Sequence, residues 1–321
     1  MIKKRNLIIS IIFILIITAI PALTLAKMVV KRIPIDQYKG ALVGKFQMIK
    51  FNTELTSRLT GGTYLESAEV LLGKDGWLFY KVKTDGTPLY DYMGINRFSE
   101  EELRTIDANL SGAYNAMQSN DIKFAVMTIP NKEQVYSEYM PDTVVKISNE
   151  SRLDQLTGYL EDNTDGYPYI DVSELLKDNH LSHPLYYKTD THWTEVGSFL
   201  ALQEMMQNLY GSSESLDDVE FMATPGFEGD LCRISGTNYP DVTYSLVPDS
   251  IDPSLKHNET LLIVGDSFGD SMIHTAKYYY ENVYWIRIKD YTKDCLTQYS
   301  PDVVLWECVE RYLPDMVEYN M

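Results

Sequence analysis

Two short motifs carry side chains that together could activate a hydroxyl nucleophile. The apolar run Leu261–Val264 breaks at a glycine, and Ser267 follows two residues later. Earlier in the chain, residues 187–193 read Tyr-Lys-Thr-Asp-Thr-His-Trp, which places Asp190 two residues before His192. A serine hydroxyl attacks well only when a base lies within hydrogen-bond reach and an acid orients that base. We therefore predict that His192 takes the proton of Ser267 and that Asp190 holds His192 in the required tautomer.

Each motif alone is a weak signal. Gly-Asp-Ser is also common in ordinary turns, and a histidine in an Asp-x-His segment is often only a hydrogen-bonded loop residue. The two motifs together, each beside apolar structure, favour catalysis. A serine at the start of a helix also lets its own N–H and the neighbouring amides face a developing oxyanion.

Metal binding is the alternative for the histidines, because His180, His183, Asp190 and His192 lie close together in the sequence. Their spacing matches no helix-borne motif such as His-Glu-x-x-His, and Pro184 follows His183. We therefore expect no metal and no other cofactor.

Helices and strands alternate along most of the chain. The predicted strands are 124–129, 169–172, 261–264, 283–288 and 302–306, and the predicted helices cover about 99–119, 151–161, 194–210 and 267–280. Ser99 and Glu102 form a capping box at the start of the first helix. This alternation predicts an α/β fold with a mostly parallel sheet covered on both faces. Residues 211–253, rich in Gly, Ser, Asp and Pro, are interpreted as an insertion.

Polar residues follow three of these predicted strands. Asn131 and Lys132 follow the first strand, Ser267 follows the third, and Glu307 follows the last. Parallel strands end at the same edge of a sheet, which is where open α/β sheets bind ligands. We therefore expect these side chains to converge.

The N-terminal residues predict a membrane anchor. Lys3, Lys4 and Arg5 precede an almost purely apolar run over 7–26, and roughly 20 apolar residues can span a bilayer. The basic cluster keeps the N-terminus in the cytoplasm. A cleaved signal peptide ending at Ala26 is the alternative, although such apolar regions usually have about 7–15 residues.

We therefore expect a single-pass cell-membrane protein with three regions. A signal anchor covers 1–27, a stalk or lead-in covers 28–72, and a catalytic domain covers 73–321 outside the cytoplasm.

The composition limits the other functions. A hydrophobic fraction of 45% supports a folded core, and a formal net charge of −18 argues against nucleic-acid binding. A strongly anionic substrate would need a locally basic groove. Cys232, Cys295 and Cys308 match no zinc spacing and give no disulfide framework, so we assign them no chemistry.

Several motifs resemble one known family. They are Gly-Asp-Ser-Phe at 265–268, Asp-Thr-His-Trp at 190–193, Asp-Gly-Trp-Leu-Phe at 75–79, Pro-Asn-Lys at 130–132, and Pro-Asp-Val-Val-Leu-Trp-Glu at 301–307 followed by Glu-Arg-Tyr at 310–312. They are similar to the SGNH-hydrolase-like polysaccharide O-acetyltransferases of the AlgJ and AlgX type and to the related DHHW proteins. Asp-Thr-His-Trp departs at its second position from the motif that names the DHHW group. The chain ends soon after Tyr312, so we expect no carbohydrate-binding module there.

The resemblance implies a flavodoxin-like α/β/α fold with a permuted motif order, in which the acid and base precede the nucleophile. It implies transfer of acetyl groups to hydroxyls of an exported or cell-wall polysaccharide, with the donor delivered by a polytopic membrane acyltransferase. By the same likeness Tyr312 lies near the oxyanion site and Lys132 near the substrate. Asn131 and Arg311 are further candidates for substrate contact, with a local Glu310–Arg311 ion pair as the alternative for Arg311.

Two other functions remain open at this point. An esterase that removes acetyl groups would use the same triad with water as the acceptor. A non-catalytic glycan-binding or scaffold protein would not need the triad at all.

Overall fold

A five-stranded parallel sheet forms the centre of the fold. The computed structural model describes residues 18, 67, 69–81, 88–163 and 166–318. Its strands are β1 Val70–Leu72, β2 Leu78–Tyr80, β3 Lys123–Ile129, β4 Tyr169–Asp171, β5 Phe221–Phe227, β6 Asp241–Leu246, β7 His257–Gly265, β8 Tyr280–Arg287 and β9 Val303–Val309. The pairs β1–β2 and β5–β6 form two small antiparallel ribbons.

Ten α-helices within the described residues connect these strands. They are α1 Pro88–Tyr92, α2 Glu100–Gln118, α3 Lys132–Val135, α4 Arg152–Asn163, α5 Ser173–Asn179, α6 Glu195–Tyr210, α7 Asp230–Ser235, α8 Ser267–Ala276, α9 Asp294–Tyr299 and α10 Asp315–Glu318. The capping box of α2 is confirmed, because Ser99 accepts from the Glu102 N–H while the Glu102 side chain accepts from the Ser99 N–H.

The order of strands in the central sheet is β4-β3-β9-β7-β8. If β7, β8 and β9 are numbered 1, 2 and 3, and β3 and β4 are numbered 4 and 5, the order read from β8 to β4 is 2-1-3-4-5. That is the flavodoxin-like order of doubly wound sheets. The sheet therefore has a flavodoxin-like order. The strand numbered 1, β7, comes late in the chain, as the permuted motif order predicts. In such sheets the ligand crevice lies where the strand order reverses, which here is beside β7.

Alternate residues of the central strands enter two separate hydrophobic cores. On β3, Ala125 and Met127 belong to one core and Phe124 and Val126 to the other. Helices α6 and α8 contribute to the first core, and α2 and α4 to the second. Both faces of the sheet are covered at its centre, so β3, β9 and the second half of β7 are apolar on both sides.

Several elements differ from the sequence-based prediction, including β7 and β8, which begin at His257 and Tyr280 rather than at 261 and 283. Helix α8 ends at Ala276 rather than near 280, because β8 already begins at Tyr280. Strand β9 continues to Val309, so Glu307 does not follow the strand as predicted but lies inside it, fully buried. The β5–β6 ribbon and α7 lie in the region 211–253, where no periodic pattern had indicated strands.

The predicted anchor at 1–27 lies outside the described residues apart from Thr18, and so does most of the predicted stalk at 28–72. Strand β1 begins at Val70, inside the predicted stalk. No helix in the described part of the chain is long and apolar enough to cross a membrane. The described residues between 67 and 234 and between 238 and 318 group into one compact unit.

Candidate active site

Ser267, His192 and Asp190 form a continuous chain of hydrogen bonds. The His192 Nε2 atom lies 2.7 Å from Ser267 Oγ, and His192 Nδ1 lies 2.7 Å from Asp190 Oδ1. Such distances are those expected between a nucleophile, its base and the acid that orients the base. The structure therefore brings together the three residues that the two sequence motifs predict.

The break between β7 and α8 presents Ser267. Strand β7 ends at Gly265, Asp266 caps α8 by accepting from the Phe268 N–H at 2.8 Å, and Ser267 is the first residue of the helix. No hydrogen bond within the described residues occupies the Ser267 N–H. This amide points from a helix N-terminus, where the helix dipole favours negative charge.

The Glu307 side chain packs against the turn between β7 and α8. Its Oε1 accepts from the Gly269 N–H at 2.8 Å, and a Cβ atom on Gly265 would lie 2.2 Å from the same oxygen. Burial, and then the nearby charge of Asp266, raises the pKa of Glu307 well above its ordinary value. Burial beneath the turn therefore disfavours the charged form of Glu307.

Asp266 links the turn to the neighbouring strand. Its Oδ2 accepts from the Val309 N–H at 2.8 Å, and its backbone oxygen accepts from Trp285 Nε1 at 2.8 Å. Burial raises the pKa of Asp266, and the charge of Arg311 acts in the opposite direction. The aspartate of the Gly-Asp-Ser motif is therefore a structural residue that ties β7, β8 and β9 together behind the serine.

The loop that carries Asp190 and His192 is fastened at several points. Thr194 caps α6 by accepting from the Val196 and Gly197 N–H groups. The Trp193 indole donates to Ser271 Oγ on α8 and packs with its ring centre 5.1 Å from that of Phe268. The tryptophan of Asp-Thr-His-Trp thereby connects the loop of the base to the helix of the nucleophile.

The Asp190 carboxylate is fully hydrogen-bonded. Oδ1 accepts from the backbone N–H and the ring of His192, and Oδ2 accepts from the Asp230 N–H at 2.7 Å. Burial alone would raise the pKa of Asp190, but the hydrogen bonds and charge of His192 and the amide of Asp230 outweigh it and lower that pKa to about 2. Asp190 is therefore ionised at neutral pH, as an acid that stabilises an imidazolium must be.

Lys132 supports the backbone of this loop. Its side chain is buried, and Nζ donates to the backbone oxygens of Tyr187, Lys188 and Asp190 at 3.1, 3.3 and 2.7 Å. Burial lowers the pKa of Lys132 to about 8. Lys132 thus binds the backbone of the loop through the main-chain oxygens of Asp190 and of two residues that precede it.

Arg311 and Tyr312 lie on the other side of the serine. The Arg311 guanidinium carbon is 5.1 Å from the Phe268 ring centre, and the His192 ring centre is also 5.1 Å from it. Tyr312 lines a cavity with Ser267. The alternative Glu310–Arg311 ion pair is not formed within the described residues, because Glu310 accepts instead from the Asn131 N–H and from Gln134.

Asn131 is not placed with the three hydrogen-bonded residues. It is fully buried, and its Nδ2 donates to Asp91 at 3.3 Å while its N–H donates to Glu310 at 3.1 Å. Asp91 is also paired with Arg152 at 2.8 Å. Asn131 thus belongs to a buried polar network that joins α1, α3 and α4 to the end of β9.

Two cavities flank the Ser267–His192 pair. One of about 300 Å³ contains Ser267 and Tyr312 in its wall, with Arg287 and Lys289 at its side. The other, of about 540 Å³, contains His192 and Asp230 together with aromatic side chains. One cavity therefore opens beside Ser267 and the other beside His192.

His180 and His183 are not grouped with His192. His180 is hydrogen-bonded to Glu138 at 3.0 Å, and His180 and His183 line a third cavity with Tyr136. The three cysteines are free and buried. Among the described residues, the one group of potential metal ligands within 4.8 Å of one another is Asp190, His192 and Asp230.

Sequence reasoning missed two acidic residues of the site, Asp230 on α7 and Asp241 at the start of β6. Both contact the loop of the base, through hydrogen bonds to Thr191 and Thr189. The Gly229-Asp230 pair was the one local signal available. The threonines that Asp230 and Asp241 bind lie about forty or more positions away in the chain, so nothing local indicated these contacts.

The sequence of this chain is similar to those of known proteins. The family described as "SGNH hydrolase-like domain, acetyltransferase AlgX" matches residues 70–271. The probable alginate O-acetylase AlgJ of Pseudomonas putida is 24% identical, over 76% of this chain and 70% of that protein.

Two solved structures share the fold. The O-acetyltransferase domain of Pseudomonas putida AlgJ superposes with a TM-score of 0.53 at 20% identity, covering 77% of this chain and 92% of that one. A DHHW family protein from Eubacterium siraeum gives a TM-score of 0.53 at 15% identity, covering 79% and 99% of the two chains. The fold is therefore the SGNH-like α/β fold that the motifs predicted.

Proposed function

Because this chain belongs to the family of SGNH hydrolase-like acetyltransferase domains described for AlgX, we propose that it transfers acetyl groups to hydroxyls of an exported or cell-wall polysaccharide. The observation that carries the proposal is the pair of 2.7 Å hydrogen bonds that joins Ser267 to His192 and His192 to Asp190. An acyl-enzyme on Ser267 is the intermediate that such a chain of groups supports.

In the first half-reaction Ser267 takes the acetyl group. His192 Nε2 accepts the Ser267 proton as Oγ attacks the acetyl carbonyl carbon of the donor, and the carbonyl oxygen becomes an oxyanion. Collapse of this intermediate breaks the bond to the donor's leaving group, which receives the proton from His192. The acetyl group then remains on Ser267 Oγ as an ester, and His192 is neutral again.

The oxyanion is stabilised by the start of α8. The free Ser267 N–H lies at a helix N-terminus, and removing one donor of an oxyanion hole typically costs about 100- to 1,000-fold in turnover. The phenol of Tyr312, in the wall of the same cavity, is the second donor that we propose. The charge of Arg311, stacked on Phe268, favours negative charge in the same region.

In the second half-reaction a sugar hydroxyl replaces the donor. His192 takes its proton as the sugar oxygen attacks the acetyl carbonyl carbon, and Ser267 leaves with that proton. The cavity beside His192 has the space and the aromatic walls that a sugar ring needs, with Tyr187 and Phe227 packed at 4.4 Å between ring centres. We propose that the acceptor glycan binds there.

Membrane attachment and donor supply are part of the same proposal. The basic cluster and the apolar run at 7–26 support a single-pass anchor with the catalytic domain outside the cytoplasm. An acetyl donor made in the cytoplasm must then cross the membrane, so a polytopic membrane acyltransferase is the partner that we propose.

An esterase would follow the same first half-reaction and admit water in the second. The two functions differ in the product, so the test is to incubate the purified protein with an activated acetyl ester and a panel of neutral and uronic-acid oligosaccharides. We expect acetylated oligosaccharide by mass spectrometry, and none with Ser267→Ala. Release of free acetate with no acetylated sugar at any acceptor concentration would assign hydrolysis instead.

A scaffold role predicts a different result in cells. If the protein only assembled other components, cells carrying His192→Ala would acetylate their polymer normally. We expect polymer acetylation to be lost in these cells while the protein is still present at its usual level.

A further inference from the structure

Two aspartates bind the loop that carries His192 through similar pairs of hydrogen bonds. Asp241 Oδ2 accepts from both the N–H and the hydroxyl of Thr189, each at 2.8 Å. Asp230 accepts from the N–H of Thr191 at 2.8 Å and from its hydroxyl at 2.6 Å. Asp190 lies between the two threonines, so both sides of the acid are held by carboxylates from the region 211–253.

The fit between this region and the loop is close. A Cβ atom on Gly229 would lie 2.1 Å from the Thr189 backbone oxygen, and the Leu231 N–H donates to that oxygen at 3.1 Å. Only glycine permits this approach, because any side chain would displace the backbone of the loop. Asp230 is therefore held at a fixed place relative to Asp190 and His192.

Asp230 differs from Asp241 in what else it touches. Its N–H donates to Asp190 Oδ2 at 2.7 Å, and its own Oδ2 lies 4.0 Å from His192 Nδ1. The Thr191 hydroxyl that it holds lies 3.3 Å from the same ring nitrogen. No such contact with His192 is recorded for Asp241 within the described residues.

The charges around His192 come from several elements. Asp190 lies on its own loop and Asp230 on α7, Asp266 caps α8, and Arg311 reaches over Phe268 from the end of β9. Cavity-lining residues add Glu195, Arg233 and His274 on the open side. Asp230 is thus the second nearest carboxylate to Nδ1, after Asp190.

We propose that Asp230 is a positioning residue that acts as a second carboxylate for the base, by orienting Asp190 through its N–H and by stabilising the protonated ring of His192 across 4.0 Å. The proposal rests on the proposed function, because it assigns a role in proton transfer between Ser267 and His192. It extends the catalytic unit from three residues to a fourth, contributed by the region between α6 and β7.

The charge of Asp230 leads to a prediction that does not follow from its hydrogen bonds. A negative charge near the ring favours the protonated ring, so the pH at which activity falls on the acid side depends on that charge. Asp230→Asn keeps the shape and an oxygen that accepts from the Thr191 N–H but removes the charge. We expect its acid limb of kcat/KM to move to lower pH by about one pH unit, and its kcat to fall about tenfold.

Asp241→Asn is the matched control. It removes the charge of the aspartate that binds Thr189. We expect turnover to fall because the loop is held less firmly, and we expect the acid limb to stay at the same pH. Thr191→Val, which loses the hydroxyl held by Asp230 but keeps the Asp230 charge, should likewise leave the acid limb in place. Asp230→Ser provides a second uncharged variant if Asp230→Asn fails to fold.

The experiment is a pH–rate profile with an activated acetyl ester, recorded for the full chain in detergent and for each variant that unfolds cooperatively on heating. A shift in Asp230→Asn or Asp230→Ser alone supports the proposal. An acid limb that stays at the wild-type pH in these variants, or that moves equally in Asp241→Asn, overturns it. If instead the wild-type activity survives Ser267→Ala, the proposed function has failed, which is a separate result.

Discussion

At the residue scale, the chemistry of the site depends on what surrounds three ordinary side chains. The serine gains a base at 2.7 Å, and the base gains an acid at 2.7 Å. The acid remains ionised because its two oxygens accept three hydrogen bonds in all. Proton transfer from Ser267 therefore needs no rearrangement of the groups that receive or balance the charge.

Residue types in short motifs predicted these three positions, because Asp190 and His192 are neighbours and Ser267 follows an apolar strand. Residue types did not indicate the surroundings of Lys132. The family resemblance implied a place near the substrate, and the structure shows its ammonium bound to three backbone oxygens of the loop that carries Asp190 and His192. The difference is one of burial, which a single sequence does not reveal for a residue at an element boundary.

Asp190 also makes a testable contribution to stability. Its pKa is lowered from 3.8 to about 2 in the folded protein, so its ionised form stabilises the fold above pH 3.8. This stabilisation is lost as the pH falls through about 2, and it amounts to about 2 kcal/mol. We expect the free energy of unfolding of the wild type to fall by that amount, relative to Asp190→Asn, between about pH 5 and pH 2. Urea titrations of both proteins at a series of pH values measure it, and a difference that is constant with pH would contradict the assignment.

At the element scale, the site depends on the turn from β7 into α8. Gly265, Asp266 and Gly269 all fit around the buried carboxyl group of Glu307 or the end of β9. The strand and the helix were predictable from their apolar pattern. The buried position of Glu307 was not, because a glutamate after Trp306 looked like the end of a strand, and only the contact with Gly269 explains why it lies inside one.

Helical glycines give a direct test of this packing. Gly269→Ala in α8 would place a Cβ atom 2.6 Å from Glu307 Oε1 and 2.7 Å from Ile263, so we expect the variant to lose about 1–3 kcal/mol of stability and most of its activity. Gly112→Ala in α2 meets nothing within 4 Å and should stabilise the protein by about 0.5–1 kcal/mol. Thermal unfolding compares the two, and equal effects would show that the turn is not tightly packed.

The β5–β6 ribbon shows where sequence reasoning stopped. Its residues Phe221–Phe227 and Asp241–Leu246 are mostly half-buried or exposed, so they lack the alternation that marks a strand with one face in a core. Yet the ribbon and α7 place Asp230 and Asp241 against the loop that carries Asp190 and His192. Residues that meet only through such long-range contacts leave no periodic trace in one sequence.

At the scale of the whole molecule, the strand order explains why Asp190 and His192 precede Ser267 in the chain. Strand β7, which leads into Ser267, is the central first strand of a flavodoxin-like order, while β3 and β4 occupy the last two places in that count. The alternation of strands and helices predicted the fold class, and the family likeness implied the permuted order. The pairing of β9 between β3 and β7 came only from the structure.

The proposed location is testable on the whole chain. We expect the full-length protein to sediment with membranes, to resist extraction with alkaline carbonate, and to be cleaved by protease added outside intact cells. A variant lacking residues 1–27 and given a cleavable signal peptide should appear in the medium or periplasm. Recovery of the full-length protein in the soluble cytoplasmic fraction would contradict the anchor.

The central claim is that Ser267 carries the acetyl group between donor and acceptor. The most direct measurement is to mix the purified protein with an activated acetyl ester without an acceptor, quench in acid, and locate the modification by peptide mass spectrometry. We expect a single acetyl group on the peptide that contains Ser267, which disappears when acceptor is added and does not form in His192→Ala. Undiminished turnover with no acetyl group on Ser267, or with the acetyl group on another residue, would contradict the account.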